Sequence, residues 1–159
     1  MPWTGTPSSR DLILDDVVAT LQAITRANGY EVDVVEVTRV ARDIEDEIIN
    51  EIAPSASPLH QIIAGPEEPK FAGSDGLMGS TFKVIDFMVA TVDDFERALR
   101  DARKAMAVDR RRGTHPDTGV GLALDTRLVL VETAEQIFYP NEYARIEWDI
   151  DYTYLEETP

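Results

Sequence analysis

The chain has 159 residues, 15 of them basic and 30 acidic, a net charge of −15, 43% apolar residues and no cysteine. That length fits one domain, with roughly 68–70% of the unfolded chain's surface available for burial. The acidic balance argues against a nucleic-acid clamp or docking on an anionic membrane, and the missing thiols exclude disulfide frameworks, cysteine nucleophiles and zinc ribbons.

No apolar run reaches the roughly 18 residues that a membrane-spanning helix needs. The start, Met1-Pro2-Trp3-Thr4-Gly5-Thr6-Pro7, lacks the basic and apolar regions of a secretory signal. The expectation is a protein that stays where it is made, or leaves only as part of something larger. One domain over 1–159 is expected, with an extension at 1–8, a long flexible loop at 65–80 and a tail at 156–159.

The first predicted element is a helix from Ser9 to Asn28. Ser8-Ser9-Arg10-Asp11 offers a hydroxyl cap and an early acid, and Ile13, Val17, Leu21 and Ile24 recur on one face. Asn28-Gly29 supplies the left-handed stop. Tyr30 to Thr38 follows as a strand, with a break in its alternation at Val34-Val35. A short acidic helix from about Arg42 to Ile52 groups Ile44, Ile48, Ile49 and Ile52, and Pro54 ends it.

Leu59 to Ala64 reads as a brief strand. The sixteen residues Gly65 to Ser80 hold four glycines and two prolines with little periodicity, the pattern of a loop. Thr81 to Thr91 is a strand carrying Phe82, Val84, Ile85, Phe87 and Val89. Thr91-Val92-Asp93-Asp94 caps a second long helix to about Val108, with Phe95, Leu99, Ala102 and Met106 on its apolar stripe. Arg110 to Gly121 is a loop, Arg127 to Thr133 a strand, and Ala134 to Asn141 a turn-rich connection. From Ala144 to Tyr154, Ala144, Ile146, Trp148, Ile150, Tyr152 and Tyr154 alternate with polar residues, which means one buried face and one polar face. The expected fold is α+β: a mostly antiparallel sheet of about four to five strands, with two long helices packed on one face.

Chemistry is hard to find. His60, between Leu59 and Gln61, reads as a surface residue before it reads as a ligand. His115-Pro116-Asp117 supplies too few ligands for a metal. Gly73, Gly76 and Gly79 lack the following Lys-Ser/Thr and the helical entry of a phosphate loop, and there is no Gly-x-Ser-x-Gly elbow. Glu147, Asp149 and Asp151 share one strand face about 6.6–6.8 Å apart. The first reading of that stripe is a solvated face, the second a negatively charged channel or interface wall, and the last catalysis or a metal site. No enzyme, metal or cofactor is indicated.

Charge is unevenly spread. Between Arg97 and Arg112, seven basic residues oppose two acids, so this window carries +5 while the remainder carries −20. Such asymmetry marks a surface that meets a partner, and a second copy of the chain is one partner always at hand. Arg100, Arg103, Arg110, Arg111 and Arg112 are the candidate cations of a subunit interface. Asp43, Glu47 and Glu51 of the acidic helix are their candidate partners.

Taken in order, the helix closed by Asn28-Gly29, Tyr30-Glu31-Val32, Val37-Thr38-Arg39, Gly65-Pro66-Glu67-Glu68, Phe82-Lys83-Val84-Ile85-Asp86-Phe87, Ala98-Leu99-Arg100-Asp101-Ala102, Glu135-Gln136-Ile137-Phe138-Tyr139-Pro140 and the final alternating strand form a pattern. It resembles the tail terminator (tail completion) proteins of long-tailed bacteriophages, over about Asp11 to Glu156. The resemblance implies a non-enzymatic virion protein that forms a hexameric ring, caps the tail tube, ends its growth and meets the neck. Its implied partners are further copies of itself, the tail tube protein and a neck or head-completion protein. DNA would pass through the lumen without specific binding, and no membrane is involved. The implied location is the virion's tail or neck, and the host cytoplasm during assembly. Phe71, Asp75, Leu77 and Met78 become the candidate contact loop for tube or neck, and Glu147, Asp149 and Asp151 candidate lumen-facing acids. The acidic stretch Arg39 to Pro58 departs most from the pattern. A neck or head-completion adaptor, and a small-molecule-binding regulatory domain using Gly73, Gly76 and Gly79, remain alternatives.

Overall fold

The computed structural model describes residues 9–39, 57–72, 77–108, 123–133 and 140–155. Two helices, α1 (Ser9–Gln22) and α2 (Phe95–Val108), accompany five strands: β1 (Glu36–Thr38), β2 (Leu59–Ala72), β3 (Leu77–Thr91), β4 (Ala123–Thr133) and β5 (Asn141–Leu155). The strand order is β1-β2-β3-β5-β4. β1 runs parallel to β2, while the β2–β3, β3–β5 and β5–β4 pairs are antiparallel. The class is α+β, but the expected mostly antiparallel sheet under two long helices is corrected: the sheet is mixed, and each helix has 14 residues.

Local hydrogen bonds explain the short first helix. The Asn28 side chain donates to Ala23 O at 2.8 Å, Thr25 Oγ1 accepts from Asn28 N at 3.2 Å, and Asp33 Oδ1 accepts from Arg26 N at 2.7 Å. These bonds offer the backbone an alternative to the helix. It takes a separate 3-10 turn, Arg26–Asn28, which Gly29 closes at φ 91°. A left-handed stop was expected here; it ends the turn and not α1.

The expected strand from Tyr30 shrinks to three residues because its backbone bonds go elsewhere. Asp101 Oδ2 on α2 accepts from the amides of Glu31 and Val32 at 2.8 and 2.9 Å. Val34 N donates to Ile24 O, and Val35 N to Pro58 O, each at 2.9 Å. Only Glu36–Thr38 is left to join the sheet.

The expected loop at 65–80 is corrected over 65–72 and 77–80, which are strand, while 73–76 lie outside the described residues. β2 and β3 are the arms of a hairpin that pairs Leu59 with Val89 and continues to Ala72 with Met78. Register shifts between Ala64 and Glu67 and between Pro69 and Phe71 absorb the two prolines, which cannot donate to a ladder. Those bulges erase the period-two signal, so the segment reads as loop in sequence. At the first bulge Gly65 lies under β3, where an added Cβ would be 3.1 Å from both Lys83 Cβ and Lys83 O. Arg10 at the start of α1 ties the bulge down: Nη2 donates to Gly65 O at 2.8 Å and Nη1 to Glu67 Oε1 at 3.2 Å. Tyr152 O–H also donates to Glu67, at 2.7 Å. The Arg10 guanidinium sits 4.9 Å from the Phe82 ring centroid, and Phe82 meets Tyr152 edge-on.

Both helices cover the same sheet face. Ile13, Val17, Leu21 and Ile24 pack with Phe95, Leu99, Ala102 and Met106 over Phe82, Val84, Met88, Ile146, Trp148 and Ile150. The two helical stripes and the Ala144-to-Tyr152 alternation are buried as their spacing predicted. The acidic helix at 42–52 and the loop at 110–121 lie outside the described residues.

Candidate functional site

The opposite sheet face carries the acidic stripe. Registers Lys83↔Asp149, Ile85↔Glu147, Thr81↔Asp151 and Arg127↔Asp149 set charged side chains from three strands side by side. Lys83 Nζ lies 3.0 Å from Glu147 and 3.4 Å from Asp149. Arg145 Nε donates to Glu147 at 2.8 Å. Arg127 holds Asp151 with both terminal nitrogens and reaches Asp125 at 3.7 Å, and Thr81 donates to Asp151 as well.

The titration behaviour follows from these neighbours. Burial pushes the Glu147 carboxyl up, but hydrogen bonds from Lys83 and Arg145 outweigh it, and the net pKa is lowered. Arg127 holds Asp151 below the ordinary carboxylate range, against partial desolvation. Glu147 raises the pKa of Lys83. The stripe is therefore a ladder of four carboxylates (Glu147, Asp149, Asp151, Asp125) threaded with three cations (Lys83, Arg127, Arg145). It is not a bare solvated face, and Glu147 is buried. Such a ladder orders the sheet, and the lowered pKa values of Glu147 and Asp151 run opposite to the raised one that a general acid needs.

His60 is fully buried, and its reading as a surface residue is corrected. β2 is an interior strand, so His60 lies beneath the helices with Ile62 and Met88, and Nδ1 sits 2.6 Å from Asp86 Oδ2 on β3. Asp86 is also fully buried. The His60 Nε2 and Asp86 Oδ1 atoms have no hydrogen-bond partner among the described residues. The sequence signal was an Asp inside the apolar run of Thr81 to Thr91, at a position facing the core.

A cleft of about 480 Å³ opens between α2 and β4. Met106, Ala107, Leu128 and Trp148 give it apolar walls, Arg103 adds a cation from the α2 side, and Thr126 and Arg127, whose guanidinium is held by Asp151, complete the lining. Among the described residues β4 forms one edge of the sheet. Shifts in register between Ala123 and Asp125 and between Leu128 and Leu130 break its alternation. As a result Leu124, Leu128, Val129 and Leu130 are all solvent-facing, at 57%, 40%, 49% and 36% exposure.

The candidate interface cations divide. Arg100 is exposed and bound to Glu31 at 3.2 Å. Arg103 is exposed with no ion pair among the described residues. Arg110, Arg111, Arg112, Asp43, Glu47, Glu51 and Asp75 lie outside those residues. Phe71 and Leu77 fall within β2 and β3, and Met78 is half-buried on β3 opposite Tyr154. The structure brings the acidic stripe together on one face. Among the described residues it shows no cluster of three metal-ligating side chains.

No family model matches the chain, and no curated protein does. A solved structure does: a chain from the virion of native gene transfer agent (GTA) particle superposes with a TM-score of 0.51 at 9% identity. The match covers 94% of this chain and 100% of that one. At that identity the likeness is one of fold.

Proposed function

We propose that this protein is a structural component of a phage-like virion and, within it, a tail terminator. In this reading copies assemble into a ring, taken as a hexamer, that caps the completed tail tube, ends tube growth and joins the tail to the neck. The protein works by binding and not by catalysis, with no cofactor, and DNA passes through the ring without specific recognition. The observation that carries the reading is the end-to-end fold likeness to a chain of the gene transfer agent virion. It fits the terminator-like order of elements in the sequence. An exposed apolar edge strand on a protein this acidic also supports an assembling subunit over a solitary one.

Immunogold labelling tests it. Antibodies raised to the purified protein are applied to particles from the producing cells, and the particles are imaged by negative stain. Label at the junction of head and tail is expected. Label along the shaft or on the capsid would overturn the terminator assignment and leave a virion component. Unlabelled particles, with the protein confined to the soluble fraction, would overturn both.

A further inference from the structure

We propose that the α2–β4 cleft and the adjoining edge of β4 form a self-association surface whose occupant is segment 43–52 of a second copy. The inference rests on the assembling-subunit reading above and names the contact. β4 is an 11-residue edge strand paired only with β5 among the described residues. Edge strands of solitary proteins are blunted by charge, proline or short length. This one presents Leu128-Val129-Leu130-Val131, a continuous apolar run of the kind found in strands covered on both faces. The bulge sets Leu128 opposite Trp148 on the cleft side and Leu130 opposite Glu147 on the ladder side. An occupant must therefore bring apolar side chains.

It must also bring carboxylates. Arg103 lines the cleft with no ionic partner among the described residues, whereas the Arg127 guanidinium beside it is already held by Asp151. Segment 43–52, Asp43-Ile44-Glu45-Asp46-Glu47-Ile48-Ile49-Asn50-Glu51-Ile52, combines five acids, four isoleucines and no base. Topology favours delivery by a neighbour. The chain leaves the described structure just after β1 at Arg39 and returns at Ser57 just before β2. Among the described residues β1 and β4 are opposite edges of a five-stranded sheet, roughly 19 Å apart at about 4.8 Å per strand. A cleft on one edge and its complement rooted at the other make a head-to-tail contact, the type that closes into rings. The isoleucines supply affinity by burial, and the charges set register and association rate.

Paired cysteines test this, in a chain that has none of its own. Ala107→Cys, on the exposed cleft wall, and Ile48→Cys are made in separate full-length copies, mixed and oxidised. Light scattering on the unoxidised proteins is read in parallel. A heterodimer linking position 107 of one copy to position 48 of another is expected. Arg103→Glu should cut its yield about fivefold, the effect of a surface pair worth about 1 kcal/mol, and adding Glu47→Lys to the partner copy should restore it. A link that forms in a copy made with both cysteines, but not between the two single-cysteine copies, would overturn the inference. So would oligomers seen by scattering without the 107–48 link, although the ring reading would then stand. Monomers by scattering with no link would overturn the inference and remove self-assembly from the ring reading as well.

Discussion

Asp101 shows how one side chain shapes the sheet's parallel edge. It is 2% exposed, and its Oδ2 accepts two backbone N–H groups from a segment some 70 residues away. Hydrogen bonds to a charged acceptor contribute about 1.5–3 kcal/mol each. The Val32 amide is buried and cannot turn to water, whereas the Glu31 amide is partly exposed and can. Asp101→Ala should therefore cost about 3 kcal/mol, a large part of the roughly 5–15 kcal/mol that holds a domain. With a urea slope of about 1–3 kcal/mol/M, the unfolding midpoint should fall by about 1–3 M. Asp101→Asn keeps an acceptor oxygen and should cost about 1 kcal/mol. Amide hydrogen exchange should speed up at Glu31 and Val32 in the alanine variant first. An alanine variant within about 0.5 kcal/mol of wild type, or equal costs for alanine and asparagine, would refute this reasoning.

Three further outcomes are expected. His60→Ala should destabilise by about 3–5 kcal/mol, because it strands the buried Asp86 carboxylate; in thermal melts the double variant His60→Leu/Asp86→Leu should recover stability, and a double variant worse than His60→Ala alone would contradict the pairing. Gly65→Ala should cost about 1–3 kcal/mol from overpacking against the Lys83 backbone, and an unchanged Tm would show that the bulge yields freely. The charge ladder has a pH signature. Glu147 and Asp151 have lowered pKa values in the fold, so their stabilisation is complete above the unfolded values of about 4.3 and 3.9 and is lost as pH falls through the folded ones. Lys83 is raised, so its share is complete below about 10.4 and is lost as pH rises beyond. Arg127→Gln should lower Tm at pH 7, and that deficit should shrink as pH falls below about 3.9; a deficit that stays constant down to about pH 2 would rule out Asp151 as its source.

The parts of this protein legible in sequence are those where a local period survives folding. The α2 stripe from Phe95 to Met106, the α1 face from Ile13 to Leu21 and the alternation from Ala144 to Tyr152 each carry one undisturbed repeat, and each is buried as its spacing required. Composition is legible too: a chain with no thiol has no disulfide or cysteine nucleophile, and its acidic excess argues against a nucleic-acid clamp. The hairpin of β2 and β3 was not legible, because bulges around Pro66 and Pro69 cancel the alternation that marks a strand. Neither was the short β1, whose length depends on a carboxylate on α2 that competes for its amides. His60 looked like a surface histidine because its partner lies 26 residues on and its burial depends on strand order. The spacing of Glu147, Asp149 and Asp151 put them on one face, but only cross-strand register supplied Lys83 and Arg127 to neutralise them. Periodicity is a property of neighbours in the chain, and the sequence by itself determined whatever rests on it. Strand order, register and the partner of each buried charge come from contacts between distant segments, so the tertiary structure alone decided them.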